Sequence, residues 1–208
     1  MSDALDYLVK VRPDAVGHYF KFLKQAGSRL DPKTRALISV ITKVHSQTER
    51  GFRQYLMRAL NAGVKPAEIL DGLLLAFPAL GMSKIVWAVD LILALDIPEF
   101  RPELMGAQAR WHDVTPEHSL GGDGVKRIEC DGRAVFVTRA NGAYRVYDSR
   151  CPHQATNIPL VALDHARLTC PKHGWVFDIR SGECIEIGSR PLKRFESRVE
   201  GEILQARW

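Results

Sequence analysis

The sequence lacks a long uninterrupted apolar run, a block of basic residues and any cysteine before residue 130. Its most apolar stretch, residues 73–80, is broken by Pro78, so no membrane-spanning helix is expected. The 29 Lys and Arg residues exceed the 24 Asp and Glu by five, and the excess is spread over both halves, which argues against a nucleic-acid-binding arm. The acidic start, residues 1–6, has no signal-peptide features, and we therefore expect a cytoplasmic protein.

The first half of the chain has the pattern of a helical bundle. Apolar residues recur at i, i+3, i+4 and i+7 in successive windows, as in the stripe of Val16, Tyr19, Phe20 and Leu23. Further stripes run over residues 37–44, 52–59, 69–74 and 85–92. Asp31, followed by Pro32, is a predicted N-cap.

The second half has the pattern of an antiparallel β unit. Short β-prone runs over residues 125–130, 133–138 and 143–148 are joined by Asp-Gly and Asn-Gly turns, and residues 111–114 predict a first strand. A chain of 208 residues suits two compact units. We predict two domains, an all-α domain over residues 1–105 and an all-β domain over residues 106–208.

Two short motifs in the second half combine cysteine with histidine. Cys151-Pro-His153 is followed by Cys170-Pro-Lys-His173, so each motif supplies one thiolate and one imidazole. Two Cys for one iron and two His for the other is the ligand set of a Rieske [2Fe–2S] centre. A structural zinc site is the alternative, although zinc fingers usually group Cys with Cys and His with His. The other cysteines, Cys130 and Cys184, are expected to be free structural thiols, with a disulfide as the alternative.

The sequence C-P-H with C-P-K-H-G-W-V-F-D resembles the cluster-binding motif of the Rieske family, and the resemblance covers about residues 108–208. It implies one [2Fe–2S] cluster per chain, held by Cys151, His153, Cys170 and His173. High-potential members have a disulfide where this chain has Thr156 and Lys172. They also have hydroxyl donors where it has Trp175 and Phe177. Fewer hydrogen bonds to sulfur predict a potential near about −150 mV, the low end of the Rieske range.

The segments at residues 30–40 and 59–70 are similar to the carboxymuconolactone decarboxylase and AhpD-like family, over about residues 10–97. This resemblance implies an all-α domain that assembles into trimers or hexamers. The redox groups of AhpD-type peroxidases are replaced: Thr48 and Gly51 stand at the cysteine positions, Tyr55 at the histidine and Ala36 at the glutamate. His18 and His45 are the general bases that a decarboxylase-like activity could use.

The leading interpretation is an electron carrier without catalytic residues of its own, a ferredoxin component that links a reductase to an oxygenase-type acceptor. The helical half would serve oligomerisation and docking. One alternative is a fusion enzyme whose helical domain keeps a decarboxylase-like or peroxidase-like activity, and another is a cluster-based redox sensor. A terminal oxygenase is disfavoured because the helical half shows no 2-His-1-carboxylate iron site and little chain follows the Rieske-like part.

Overall fold

The computed structural model describes residues 3–122, 124–140 and 142–208, and these contain seven α-helices followed by ten β-strands. The helices are α1 Asp3–Val11, α2 Pro13–Gln25, α3 Pro32–His45, α4 Glu49–Asn61, α5 Pro66–Leu75, α6 Phe77–Leu80 and α7 Met82–Ala94. The strands are β1 Trp111–Pro116, β2 Val125–Cys130, β3 Arg133–Ala140, β4 Ala143–Asp148, β5 Leu163–Asp164, β6 Arg167–Thr169, β7 Val176–Asp178, β8 Cys184–Glu186, β9 Arg194–Glu200 and β10 Ile203–Arg207. The predicted fold class, helices first and strands second, is confirmed.

The helical core is formed by α3, α4, α5 and α7, as the apolar stripes predict. Val40, Phe52, Leu56 and Ile69 are fully buried there. Asp31 caps α3, because its carboxylate accepts hydrogen bonds from the N–H groups of the second and third residues of the helix, at 3.0 and 3.1 Å. These bonds to the charged form, led by the Thr34 hydroxyl, lower the pKa of Asp31.

Helix α2 departs from this pattern. Within the described part of the chain, none of its residues is buried. The predicted stripe is present but faces solvent, with Tyr19 54% and Leu23 37% exposed. The helix is therefore amphipathic, and the part of the chain that the structure describes does not bury its apolar stripe.

The strands form two antiparallel sheets. The larger has the order β1-β10-β9-β4-β3-β2 and the smaller the order β5-β6-β7-β8. The turn between β2 and β3 is made by Asp131 and Gly132, whose φ angles of +47° and +74° fit the tight turn that the sequence predicts. Asn141, of the second predicted turn, lies outside the described residues.

The predicted division at residues 105 and 106 falls in the connection between the last helical turn, Pro102–Leu104, and β1. The two halves nevertheless touch, because Ala155, from the β half, packs in the helical core. Of the helices described, none has the length and apolarity needed to cross a bilayer.

Candidate metal centre

Two loops at one end of the β half contain the four predicted ligands. The first loop, residues 151–156, follows β4, and the second loop, residues 170–175, joins β6 to β7. Cys151 and Cys170 are 1% exposed and belong to one buried cluster, with Phe136, Leu168 and Phe177 among its members. The sheets therefore hold the cysteine end of each loop in the core.

The two loops share one hydrogen-bond frame. In both, the cysteine N–H donates to the carbonyl oxygen five residues later, at 2.8 Å. The N–H of the residue four positions later donates back to the cysteine carbonyl oxygen, at 3.0 Å in the first loop and 2.9 Å in the second. That residue has a positive φ in each case, +56° at Ala155 and +67° at Gly174. Each frame places a cysteine and a histidine on the same tight turn.

The two cysteine side chains meet between the loops. The thiol of Cys151 donates to the sulfur of Cys170, which, together with burial, raises the pKa of Cys151. The same hydrogen bond lowers the pKa of Cys170 to about 6, against the opposing effect of burial. The hydrogen bond between the two thiols therefore favours the thiolate of Cys170, and the thiolate is the form of cysteine that binds metal.

The two imidazoles lie beside each other, with ring centroids 4.6 Å apart. Burial, followed by the nearby charge of His173, lowers the pKa of His153 to about 4. Burial, followed by the charges of Arg50 and Lys172, lowers the pKa of His173. Both rings are therefore neutral at pH 7, as metal ligands must be. The buried Nδ1 atom of His153 has no hydrogen-bond partner among the described residues.

Trp175 covers one face of His153. The two rings are parallel within 5° and 4.8 Å apart between centroids. The guanidinium of Arg190 lies on the Trp175 ring, 5.6 Å from its centroid. Gly188 makes room for this stack, since a Cβ atom there would lie 2.2 Å from the indole. The sequence shows only that Trp175 lacks the hydroxyl of high-potential Rieske proteins and does not predict this stack.

The sulfur of Cys170 accepts several hydrogen bonds. The donors are the backbone N–H groups of Lys172 and His173 and the hydroxyl of Thr156, which comes from the first loop. From the resemblance, Thr156 stands only for a missing disulfide cysteine. Its hydroxyl group was the signal that could have identified it as a donor to sulfur.

A network of charged side chains connects the start of the first loop to the helical half. Asp148, at the end of β4, accepts from the N–H of Arg150 at 2.9 Å and from Arg133 at 2.5 Å. Arg133, which is 3% exposed, also contacts Glu99 at 2.9 Å, and Lys193 contacts Glu99 at 3.0 Å. Although burial raises the pKa of Glu99, the charges of Arg133 and Lys193 lower it to about 2. Glu99 belongs to the turn Pro98–Phe100, so this network crosses between the two halves.

The helical half also reaches the second loop. The first turn of α4 and the two loops enclose a cleft, and His173 lies in its wall. Both His153 and His173 are half-buried. Thr48 and Gly51, where the resemblance places two peroxidase cysteines, belong to the same turn of α4 and carry no thiol.

The donor set fits a Rieske cluster. Such a cluster takes two thiolates and two neutral imidazoles, with only two protein ligands to each iron. The loops bring together a hydrogen-bonded pair of thiols and a pair of neutral imidazoles, one with an unpaired buried nitrogen. Across the described ranges, no group of three or more His, Cys, Asp and Glu side chains is placed to hold a single ion. A Rieske centre does not require such a group.

Comparison with known families decides the assignment of both halves. Residues 110–196 match the Rieske [2Fe-2S] domain, and residues 13–94 match the carboxymuconolactone decarboxylase family. The chain joins a decarboxylase-family domain to a Rieske domain. Both resemblances identified from the sequence are confirmed, and the Rieske domain implies a [2Fe–2S] cluster.

The curated relatives are much longer proteins. The chain is 31% identical over 81 residues to a cholesterol 7-desaturase of Caenorhabditis elegans, covering 37% of this chain and 19% of that protein. It is 32% identical over 84 residues to the oxygenase subunit of a 3-chlorobenzoate-3,4-dioxygenase of Comamonas testosteroni, covering 40% and 19%. The chain thus spans about a fifth of the length of these relatives.

Solved structures with local similarity include complexes of carbazole 1,9a-dioxygenase. A carbazole-bound oxygenase and ferredoxin complex is 18% identical, with a TM-score of 0.39, over 47% of this chain and 28% of the other. A complex of reduced oxygenase and oxidized ferredoxin is 21% identical, with a TM-score of 0.38, over 46% and 91%.

The remaining candidate residues lie apart from the loops. Cys130 and Cys184 form no disulfide among the described residues. Each thiol donates to a backbone carbonyl oxygen, at 3.3 and 3.4 Å. His18 and His45 are exposed side chains on α2 and α3.

Proposed function

We propose that the chain is a one-electron carrier whose Rieske cluster is held by Cys151, His153, Cys170 and His173. The observation that carries this proposal is the shared frame of the two loops, which brings two thiols into hydrogen-bond contact and two imidazoles to 4.6 Å. When bound, the cluster supplies reversible one-electron transfer. The backbone frames hold the ligands in position, and the buried Cys151 and Cys170 keep water away from the sulfur side.

With a cluster bound, an electron would enter and leave on the side of the two histidines. His153 is covered by the indole of Trp175, whereas His173 lies in the wall of an open cleft. A partner that approaches this cleft comes close to the His173 ring. We infer that the partners are a reductase that donates electrons and an oxygenase-type acceptor, in keeping with the oxygenases and desaturases among the relatives. We expect a potential near about −150 mV.

The cluster assignment is tested by replacing each ligand in turn. Cys151→Ser, Cys170→Ser, His153→Ala and His173→Ala should each lose most of the iron and the reduced-state EPR signal, because each iron has only two protein ligands. The wild-type chain should contain two irons and two sulfides. Cys184→Ser and His118→Gln are matched controls outside the loops and should keep both. Iron content in the four variants equal to that of the controls would refute the assignment.

We also propose that the decarboxylase-family domain assembles the chain into a homo-oligomer, a trimer or a hexamer. Large apolar side chains on the helical half are exposed, among them Tyr7 and Phe22 at 64% and Leu75 at 84%. Exposed apolar surface of this kind marks an interaction site, and α1 and α2 carry much of it. A second copy with the same surface can cover it. Light scattering should find an oligomer that Phe22→Glu weakens, and a monomeric wild-type chain would contradict the proposal.

A further inference from the structure

The cleft between α4 and the two loops has the composition of an anion site. It encloses about 320 Å³ and is lined by Glu49, Arg50, Arg53, Gln154, Lys172 and His173. This volume suits a small organic molecule. The helical domain and the Rieske domain each contribute part of the lining, so the site exists only because the two domains are joined.

The charge in the cleft is positive. Glu49 is neutralised within the cleft, because its carboxylate accepts from Arg53 at 2.9 Å. Arg50 and Lys172 form no ion pair with any described residue. Both line the cleft together with His173. Two cations thus face the cleft without a counter-charge.

An unsatisfied buried amide lies in the same wall. Gln154 is 2% exposed, and its Nε2 atom has no hydrogen-bond partner in the part of the chain that the structure describes. An unpaired buried donor of this kind destabilises the fold. Gln154 is part of the cleft lining, so a turn of its side chain toward the cleft would let a ligand oxygen accept this hydrogen bond. A partner protein's surface side chain would have to enter the cleft to do so, which favours a small molecule.

The start of α4 adds to the attraction. This helix of 13 residues begins at the cleft, and its N-cap residue, Thr48, makes no side-chain capping hydrogen bond. The free N–H groups of a first helical turn carry partial positive charge and favour anions. Guanidinium, ammonium and amide donors therefore line one space, and the one carboxylate among the described lining residues, Glu49, is paired with Arg53.

We propose that this cleft binds a small carboxylate-bearing molecule beside His173. A carboxylate matches the planar fork of Arg50 and leaves an oxygen for Lys172 or for the Gln154 amide. The bound negative charge would lie next to a cluster ligand. Reduction adds another negative charge there, so the oxidised protein binds the carboxylate more tightly than the reduced protein, and by reciprocity the carboxylate lowers the reduction potential.

The binding is tested first by calorimetry on the full-length oxidised protein at low ionic strength, with benzoate as the probe and benzamide as its neutral counterpart. Benzoate should bind and benzamide should not. Arg50→Gln and Lys172→Gln should each weaken benzoate binding about tenfold. Gln154→Leu should weaken it less. Arg29→Gln and Lys24→Gln are matched exposed controls on the helical half and should leave binding unchanged.

The coupling is tested by measuring the reduction potential with and without saturating benzoate. A tenfold preference for the oxidised form corresponds to a decrease of 59 mV. At the benzoate concentration that just saturates the wild-type protein, the decrease should be smaller in Arg50→Gln, which binds benzoate more weakly. Benzoate affinity that is equal in the two variants and their controls would overturn the proposal, as would an unchanged potential. Binding of polyglutamate, but not benzoate, with the same dependence on Arg50 would assign the cleft to an acidic protein surface instead.

The coupling part of this inference rests on the proposed electron transfer, but the calorimetric part does not. If the protein proved to lack a redox-active cluster and still bound benzoate through Arg50 and Lys172, the electron-carrier proposal would fail and the carboxylate site would stand. If the cluster were present and benzoate did not bind, only the site would fail.

Discussion

The two cluster loops have the same backbone and different surroundings. Both close with the same pair of hydrogen bonds and a residue of positive φ. The first loop is anchored to the helical domain, through Ala155 in its core and the network that starts at Asp148. The second loop is supported by the β-strands and has its histidine in the open cleft. The frame therefore sets where the ligands lie, and the surroundings set which ring a partner can reach.

The largest effect on stability is expected from removing the ion pair that links the first loop to the helical domain. Glu99→Gln removes the charge that faces the buried Arg133 across the domain boundary. We expect a loss of about 2 kcal/mol in the free energy of unfolding at pH 7, less than the full pKa shift implies because Glu99 is partly exposed. Urea unfolding measures it. Glu103→Gln, an exposed carboxylate nearby, is the control and should change little.

The Glu99→Gln variant also tests how the free energy of unfolding depends on pH. The pKa of Glu99 lies at about 2 in the folded chain, below its ordinary value of 4.5, because Arg133 and Lys193 outweigh the effect of burial. A lowered pKa stabilises the fold above pH 4.5, and this contribution is lost as the pH falls from 4.5 toward 2. The wild-type chain should therefore lose more stability than Glu99→Gln between pH 6 and pH 3.5. Equal losses in both proteins would contradict the network.

A smaller effect on stability and iron retention should distinguish the two loops when the positive-φ residue of each is replaced. Gly174→Ala places a side chain at a φ of +67°, with its Cβ 3.2 Å from Ile187. We expect a cost of about 1–2 kcal/mol and faster loss of iron to a chelator. Ala155→Gly relieves the same strain in the first loop but removes a methyl group that is 4% exposed in the helical core. Its net effect should stay within about 1 kcal/mol. Equal iron release from both variants would show that the frames are interchangeable.

Much of the fold follows from local patterns in the sequence. The stripes of α3, α4 and α5 and the Asp131–Gly132 turn are predicted because each is set by residues close in the chain. The exposure of α2 is not predicted, since a stripe shows which residues are apolar but not whether this chain supplies a surface to bury them. The division into domains at residues 105 and 106 stays a prediction.

The sequence predicts the four donor residues of the candidate site but not the residues that pack around them. The spacing of Cys151, His153, Cys170 and His173 identifies the donor set, although their role as ligands stays a proposal. The stacking of Trp175 on His153 and the cleft beside Arg50 depend on packing between segments far apart in the sequence. Local patterns contain no information about such contacts.

The smallest predicted effect lies where the two loops touch. The Thr156 hydroxyl of the first loop donates to the Cys170 sulfur of the second. Thr156→Val keeps the shape of the side chain and removes this donor. Hydrogen bonds to a ligand sulfur stabilise the extra negative charge of the reduced state, so we expect the potential to fall by about 30–60 mV, equivalent to roughly 1 kcal/mol. Protein-film voltammetry measures the change, with Thr169→Val, an exposed hydroxyl in β6, as the control. A potential that falls equally in both variants, or in neither, would mean that the contact between the loops does not tune the cluster.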